Sequence, residues 1–120
     1  MPGGIGPVDA KCARALCLTQ RVVNLPAAAD ELQILYNLGM HRVHYFPGRN
    51  AIYFVESRHV AVQETLLAAL GETAHDVTIT QLYLDRLGLF KVGKRANVTP
   101  EQAATVLVAL RIMGVRVTRS

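Results

Sequence analysis

The apolar positions of the chain repeat at helical spacing in three segments, and a glycine follows each segment. The first segment begins near Pro26 and ends at Gly39, and the second runs from about residue 58 or 59 to residue 70, just before Gly71. Apolar side chains three and four residues apart share one face of a helix. The pattern therefore predicts helices here, each ended by a glycine.

The third helix has the clearest local signals. It is predicted over residues 100–113, before Gly114. Thr99 supplies an N-cap hydroxyl, Pro100 stands at the first helical position, and Gln102 completes a capping box.

Aromatic and β-branched runs predict the strands. Residues 43–46 and 51–55 flank a Pro-Gly-Arg-Asn turn at positions 47–50, which predicts a β-hairpin. Residues 16–23 are predicted as a first strand. Residues 76–83 alternate as a strand does, although the leucines just before Gly88 favour a helical turn there.

This order of elements predicts an α+β fold in one domain. The sequence β-α-β-β-α-β is typical of a ferredoxin-like fold, a compact two-layer sandwich, here with an additional C-terminal helix and short strand. Residues 10–120 form the predicted domain. Residues 1–9, rich in Gly and Pro, are predicted to be a flexible N-terminal segment.

The composition is that of a soluble globular protein. Half of the 120 residues are hydrophobic, yet no apolar run approaches the length of a membrane span. Cys12 and Cys17 have a C-x4-C spacing that matches neither a zinc ribbon nor a redox pair. We expect an intracellular, cytoplasmic protein with two reduced cysteines, and an organellar location is left open.

The charge is unevenly distributed along the chain. Residues 1–85 carry six Lys/Arg and eight Asp/Glu, whereas residues 86–120 carry seven Lys/Arg and only Glu101, a net charge of +6. A surplus of this kind can attract and hold a polyanion.

A basic loop is predicted within that last third. Residues 91–97 read Lys-Val-Gly-Lys-Arg-Ala-Asn and lead into the helix capped by Thr99. Cations beside the free N–H groups of a helix N-terminus favour an anion site. The predicted nucleic-acid or anion-binding residues are Lys91, Lys94, Arg95, Arg111, Arg116 and Arg119, and an ordinary solvated surface is the alternative interpretation.

Motifs for catalysis and for metals are missing from the sequence. His41 and His44 have an H-x-x-H spacing, but on a strand they point to opposite faces, so no metal site is expected. The sequence has no nucleophile elbow and no Walker or Rossmann phosphate loop. These observations favour a protein that is not an enzyme and needs no cofactor.

Two segments resemble motifs of RNA-recognition domains. Residues 22–26 resemble the first-strand motif and residues 48–54 the hairpin motif, with Tyr53 at a base-stacking position. Arg21 and Ala51 stand where that family has its other aromatic residues. The resemblance implies at most one stacking residue on the sheet.

Three functional hypotheses follow. The leading one is a nucleic-acid-associated protein that contacts the RNA or DNA phosphate backbone, with little reading of sequence. The second is a protein–protein interaction module, as a homo-oligomer or a small subunit of a larger assembly, because the chain has more Leu and Val than one small core readily buries. The third is a winged-helix DNA reader with residues 100–113 as recognition helix and residues 115–118 as wing.

Overall fold

The computed structural model describes residues 20–39, 42–86 and 89–120. Its helices are α1 (Ala29–Leu38), α2 (His59–Leu70) and α3 (Pro100–Ile112). Its strands are β1 (Gln20–Pro26), β2 (Val43–Phe46), β3 (Ala51–Val55), β4 (Val77–Arg86), β5 (Leu89–Asn97) and β6 (Val117–Arg119). The predictions for residues 1–9, for Cys12 and Cys17, and for His41 lie outside the described residues.

The six strands form one mixed sheet in the order β1-β4-β5-β3-β2-β6. β1 is parallel to β4, and β6 is parallel to β2. The three inner pairings, β4 with β5, β5 with β3 and β3 with β2, are antiparallel. This confirms the α+β class and the predicted hairpin of β2 and β3.

Helices cover both faces of the sheet, so the prediction of a two-layer sandwich is wrong. On one face α1 buries Leu35 against Tyr53 and Leu82. On the other face α2 and α3 share a second apolar cluster that includes Phe54 and Ile79. We call these the α1 face and the α2/α3 face, and the molecule has three layers.

The ferredoxin-like topology is not confirmed, because the strand order differs. β5 lies between β4 and β3, in the interior of the sheet. β5 occupies residues that were predicted to be a loop. With β5 included in the sheet, three strands lie between β1 and β2.

Alternation along the central strands explains why helices pack on both faces of the sheet. All five residues of β3 are buried, with Tyr53 facing α1 and the neighbouring Phe54 facing α2 and α3. In β4 the alternation is continuous: the odd-numbered Val77 and Ile79 lie on the α2/α3 face, and the even-numbered Leu82 and Leu84 lie on the α1 face. β4 continues to Arg86, so Leu84 lies in a strand and not in a helical turn.

The predicted helices are confirmed in position, and the third also in its ends. Thr99 and Gln102 form the capping box, in which the Gln102 N–H donates to the Thr99 hydroxyl at 3.1 Å. Gly39, Gly71 and Gly114 all have positive φ. None of the helices in the described residues is long and apolar enough to cross a membrane.

Candidate anion-binding pocket

A pocket of about 390 Å³ lies where the end of α3 meets β6. It is lined by Tyr45, Leu107, Arg111, Gly114, Val115, Arg116, Val117 and Arg119. We call it the arginine pocket, because three of the six predicted binding residues, Arg111, Arg116 and Arg119, surround it.

A Schellman motif builds this pocket. The Val115 N–H donates to the Leu110 carbonyl at 2.9 Å, and the Gly114 N–H donates to the Arg111 carbonyl at 3.0 Å. Gly114 has a φ of 82°, a left-handed conformation in which glycine lacks the steric penalty of other residues. The turn reverses the chain, so that β6 pairs with β2 beside the last turn of α3.

The three arginines are exposed and keep their charge available. In the described part of the chain, none of them has an ion pair with an acidic side chain. The Arg119 guanidinium lies over the Tyr45 ring, 5.5 Å from its centroid. A planar cation on an aromatic face is partly held in place while its N–H groups remain free to donate.

The other three predicted binding residues lie within the layers of the fold. Lys94 is only 9% exposed on the α2/α3 face, and its Nζ donates to Gln63 Oε1 at 2.5 Å. On the α1 face, Arg95 forms an ion pair with Glu31. Lys91 Nζ donates to the Leu35 carbonyl at 2.8 Å. Burial lowers the pKa of both lysines.

The prediction of a basic loop at a helix N-terminus is therefore wrong. Residues 91–97 belong to β5, and a strand directs successive side chains to opposite faces. The capping box also occupies the Thr99 and Gln102 N–H groups with α3's own side chains. The six cations do not converge on one surface, and only Arg111, Arg116 and Arg119 come together.

Gly93 has a packing role within β5. A methyl group at this position would overlap the buried side chain of Leu35. The missing side chain lets α1 approach the sheet closely.

The two resemblance segments do not form an RNA-recognition surface. Tyr53 is 1% exposed under α1 and its hydroxyl hydrogen-bonds to Glu31 at 3.4 Å. A buried ring cannot stack on a base. The base-stacking role that the resemblance implied for Tyr53 is therefore wrong.

The described residues also do not show the recognition helix and wing expected of a winged-helix DNA reader. α3 packs its apolar side on the sheet through Ala103, Val106 and Leu110. Residues 117–119, which overlap the predicted wing, form β6 of the main sheet. This gives no reason to favour a groove-reading helix.

A second pocket, of about 260 Å³, lies on the α1 face of β2 and β6. His44 lies in it between the hydroxyl groups of Thr118 and Ser120. No local pattern indicates this cluster, because Thr118 and Ser120 are more than 70 positions from His44 and the pairing of β6 with β2 brings them to it. In the described residues no cluster of His, Cys, Asp and Glu is arranged to hold a metal ion.

Comparisons of the chain with protein families, with curated proteins and with solved structures found no match.

Proposed function

We propose that the protein associates with nucleic acid by binding phosphate groups of the backbone in the arginine pocket. One observation carries this proposal: Arg111, Arg116 and Arg119 surround one concave surface without an acidic partner in the described part of the chain. The wider basic character of residues 86–120 supports it, because a local positive field attracts a polyanion from a distance.

The chemistry of the lining favours phosphate. A guanidinium can present two parallel N–H donors to two phosphate oxygens. The apolar walls, formed by residues such as Leu107 and Val115, offer no pattern of donors and acceptors that would read a base edge. The binding should therefore depend on charge and only weakly on sequence.

The number of arginines sets the salt dependence. If three phosphates are neutralised, the slope of log K against log salt is about −2 for a single strand and about −3 for a duplex. Lys91, Lys94 and Arg95 are engaged inside the fold and should not add to this slope.

Fluorescence anisotropy with a labelled 12-nucleotide RNA and a 12-base-pair DNA duplex tests the proposal. Replacing Arg116 by Gln removes a pocket cation, and we expect the affinity at low salt to fall about threefold to tenfold and the slope to become shallower by nearly 1. Arg42→Gln is the matched control, because Arg42 is also exposed but lies outside this pocket.

Two results would contradict the proposal. One is the absence of binding to either probe at low salt. The other is an equal loss of affinity in Arg116→Gln and Arg42→Gln, which would mean that net charge alone is responsible.

The second candidate function, self-association, is favoured by the edge strand β1. Val22, Val23 and Leu25 are 44%, 38% and 43% exposed, and within the described residues β1 pairs only with β4. An apolar edge strand is a template for pairing with another chain. We propose that the occupant is β1 of a second copy across a two-fold axis, because two such edges can pair with each other.

A further inference from the structure

Hydrogen bonds join His44 to two hydroxyl groups. His44 is paired with Thr118 in the register of β2 and β6. Its Nε2 lies 2.8 Å from Ser120 Oγ, and its Nδ1 is bonded to Thr118 Oγ1. The Ser120 N–H donates to the Tyr45 carbonyl at 3.2 Å, which continues the ladder and fixes the backbone of the serine.

We assign the direction of each hydrogen bond from the contact between the Thr118 hydroxyl and the Val43 carbonyl. The Thr118 hydroxyl donates its one proton to the Val43 carbonyl at 3.3 Å, so it can only accept from His44. In the tautomer assigned in this way, Nδ1 of the neutral ring carries the proton and Nε2 presents its lone pair to Ser120. Ser120 donates its hydroxyl proton to that lone pair.

These contacts reproduce the relation between a nucleophile, its general base and a group that orients the base. A serine hydroxyl within hydrogen-bond reach of an oriented imidazole can transfer its proton as it attacks. Thr118 takes the position of the orienting group and accepts from Nδ1–H as a carboxylate does in other such sites.

The adjoining pocket can accommodate a small substrate. Ile34, Leu38 and Phe46 supply apolar walls, and Asn37 and Arg42 supply N–H donors. The Phe46 ring lies 4.5 Å from the His44 ring and limits its movement. This lining suits a short apolar acyl group whose carbonyl oxygen lies near the donors.

We propose that Ser120 and His44 form a catalytic pair that accepts the acyl group of a small carboxylic ester. Ser120 Oγ attacks the carbonyl carbon as its proton moves to His44 Nε2. The ester C–O bond then breaks, and the alcohol leaves with that proton. Water hydrolyses the acyl-serine by the reverse use of His44, which releases the acid.

Burial supports this chemistry at neutral pH. Desolvation lowers the pKa of His44 below its usual value of 6.5, so the ring is an unprotonated base. The charged side chain that lines this pocket is Arg42, while α1 contributes the neutral Asn37 and β6 the two hydroxyl groups.

A fluorophosphonate probe tests the pair directly. Attack by Ser120 Oγ forms an O–P bond, fluoride leaves with the P–F electron pair, and His44 takes the proton. The chain has one other serine, the exposed Ser57, which serves as an internal control. Peptide mapping by mass spectrometry should find the label on Ser120 and not on Ser57.

Variants separate the roles. Ser120→Ala should abolish labelling and Ser57→Ala should leave it unchanged, while His44→Gln should slow it by about 100-fold or more. The rate in the unchanged protein should fall on acidification through a pKa below 6.5. Thr118→Val should slow labelling and alter this pH profile, and Thr118→Ser should restore both, as expected of a positioning residue.

Hydrolysis of p-nitrophenyl butyrate measures turnover, and mapping of the acylated peptide distinguishes Ser120 from the two cysteines. The proposal is overturned if the probe labels Ser120 no faster than Ser57. It is also overturned if folded His44→Gln, checked by circular dichroism, reacts at the unchanged rate.

Discussion

Lys94 places an ammonium group among the side chains of the α2/α3 face, where its charge affects the pKa of a neighbouring histidine. His59 lies in the same region, where its ring makes an edge contact with Phe54 at 5.9 Å between centroids. Desolvation, with a further contribution from the Lys94 charge, lowers the pKa of His59 to about 4. The folded protein therefore keeps His59 neutral where the unfolded chain would protonate it.

This difference predicts a loss of stability in acid. Between pH 6.5 and about 4 the unfolded state binds the additional proton, so the free energy of unfolding falls as the pH falls. We expect His59 to account for about 1 to 2 kcal/mol between pH 7 and pH 4.5, less than the full linkage value because the half-buried ring is partly screened by water.

Urea unfolding of His59→Gln at both pH values measures the effect. The variant should lose that part of the pH dependence, whereas His75→Gln, at an exposed position, should keep it. An identical decline in His59→Gln and the unchanged protein would refute this account.

At the scale of the elements, α3 depends on side chains at its N-terminus. Besides closing the capping box, Gln102 donates from Nε2 to the Thr73 carbonyl at 3.2 Å, which links α3 to the turn after α2. Thr99→Ala removes the cap acceptor and should lower the free energy of unfolding by about 1 kcal/mol.

Thr105→Ala is a matched control in the interior of the same helix, where alanine has the higher helix propensity. It should leave the stability unchanged or raise it slightly in the same urea titration. Equal destabilisation by the two substitutions would contradict the capping argument.

The elements that sequence predicted well are those specified by neighbouring residues. Thr99, Pro100 and Gln102 mark the start of α3 locally, and the Pro-Gly turn marks the hairpin. β5 was missed because its cations resemble those of a loop, and their partners, Glu31, Gln63 and the Leu35 carbonyl, lie 31 to 64 residues away. The arginine pocket was predicted only in part for the same reason. Arg111 and Arg116 lie close to each other in the sequence and were predicted, whereas Tyr45 is distant from them and was not.

For the whole molecule, the second proposal is that copies associate through the edge strand β1. If β1 pairs across a two-fold axis, the mass measured by light scattering should rise from monomer to dimer with concentration. Val23→Lys places a charge on this edge and should restore the monomer. Val60→Lys, at a 70% exposed position on α2, should still dimerise. A monomer at every concentration, or an equal effect of the two lysine substitutions on the measured mass, would exclude β1 as the dimer interface.

β6 has only three residues, yet it contributes to both pockets. Arg119 faces the arginine pocket, and its neighbour Thr118 faces His44 on the other side of the sheet. Short edge strands open locally at low free-energy cost, and one such opening would disassemble both pockets together. A ligand bound in one pocket would stabilise the paired state of β6, and would therefore increase the fraction of molecules in which the other pocket is formed. By thermodynamic linkage, a ligand in the second pocket would have the same effect on the first.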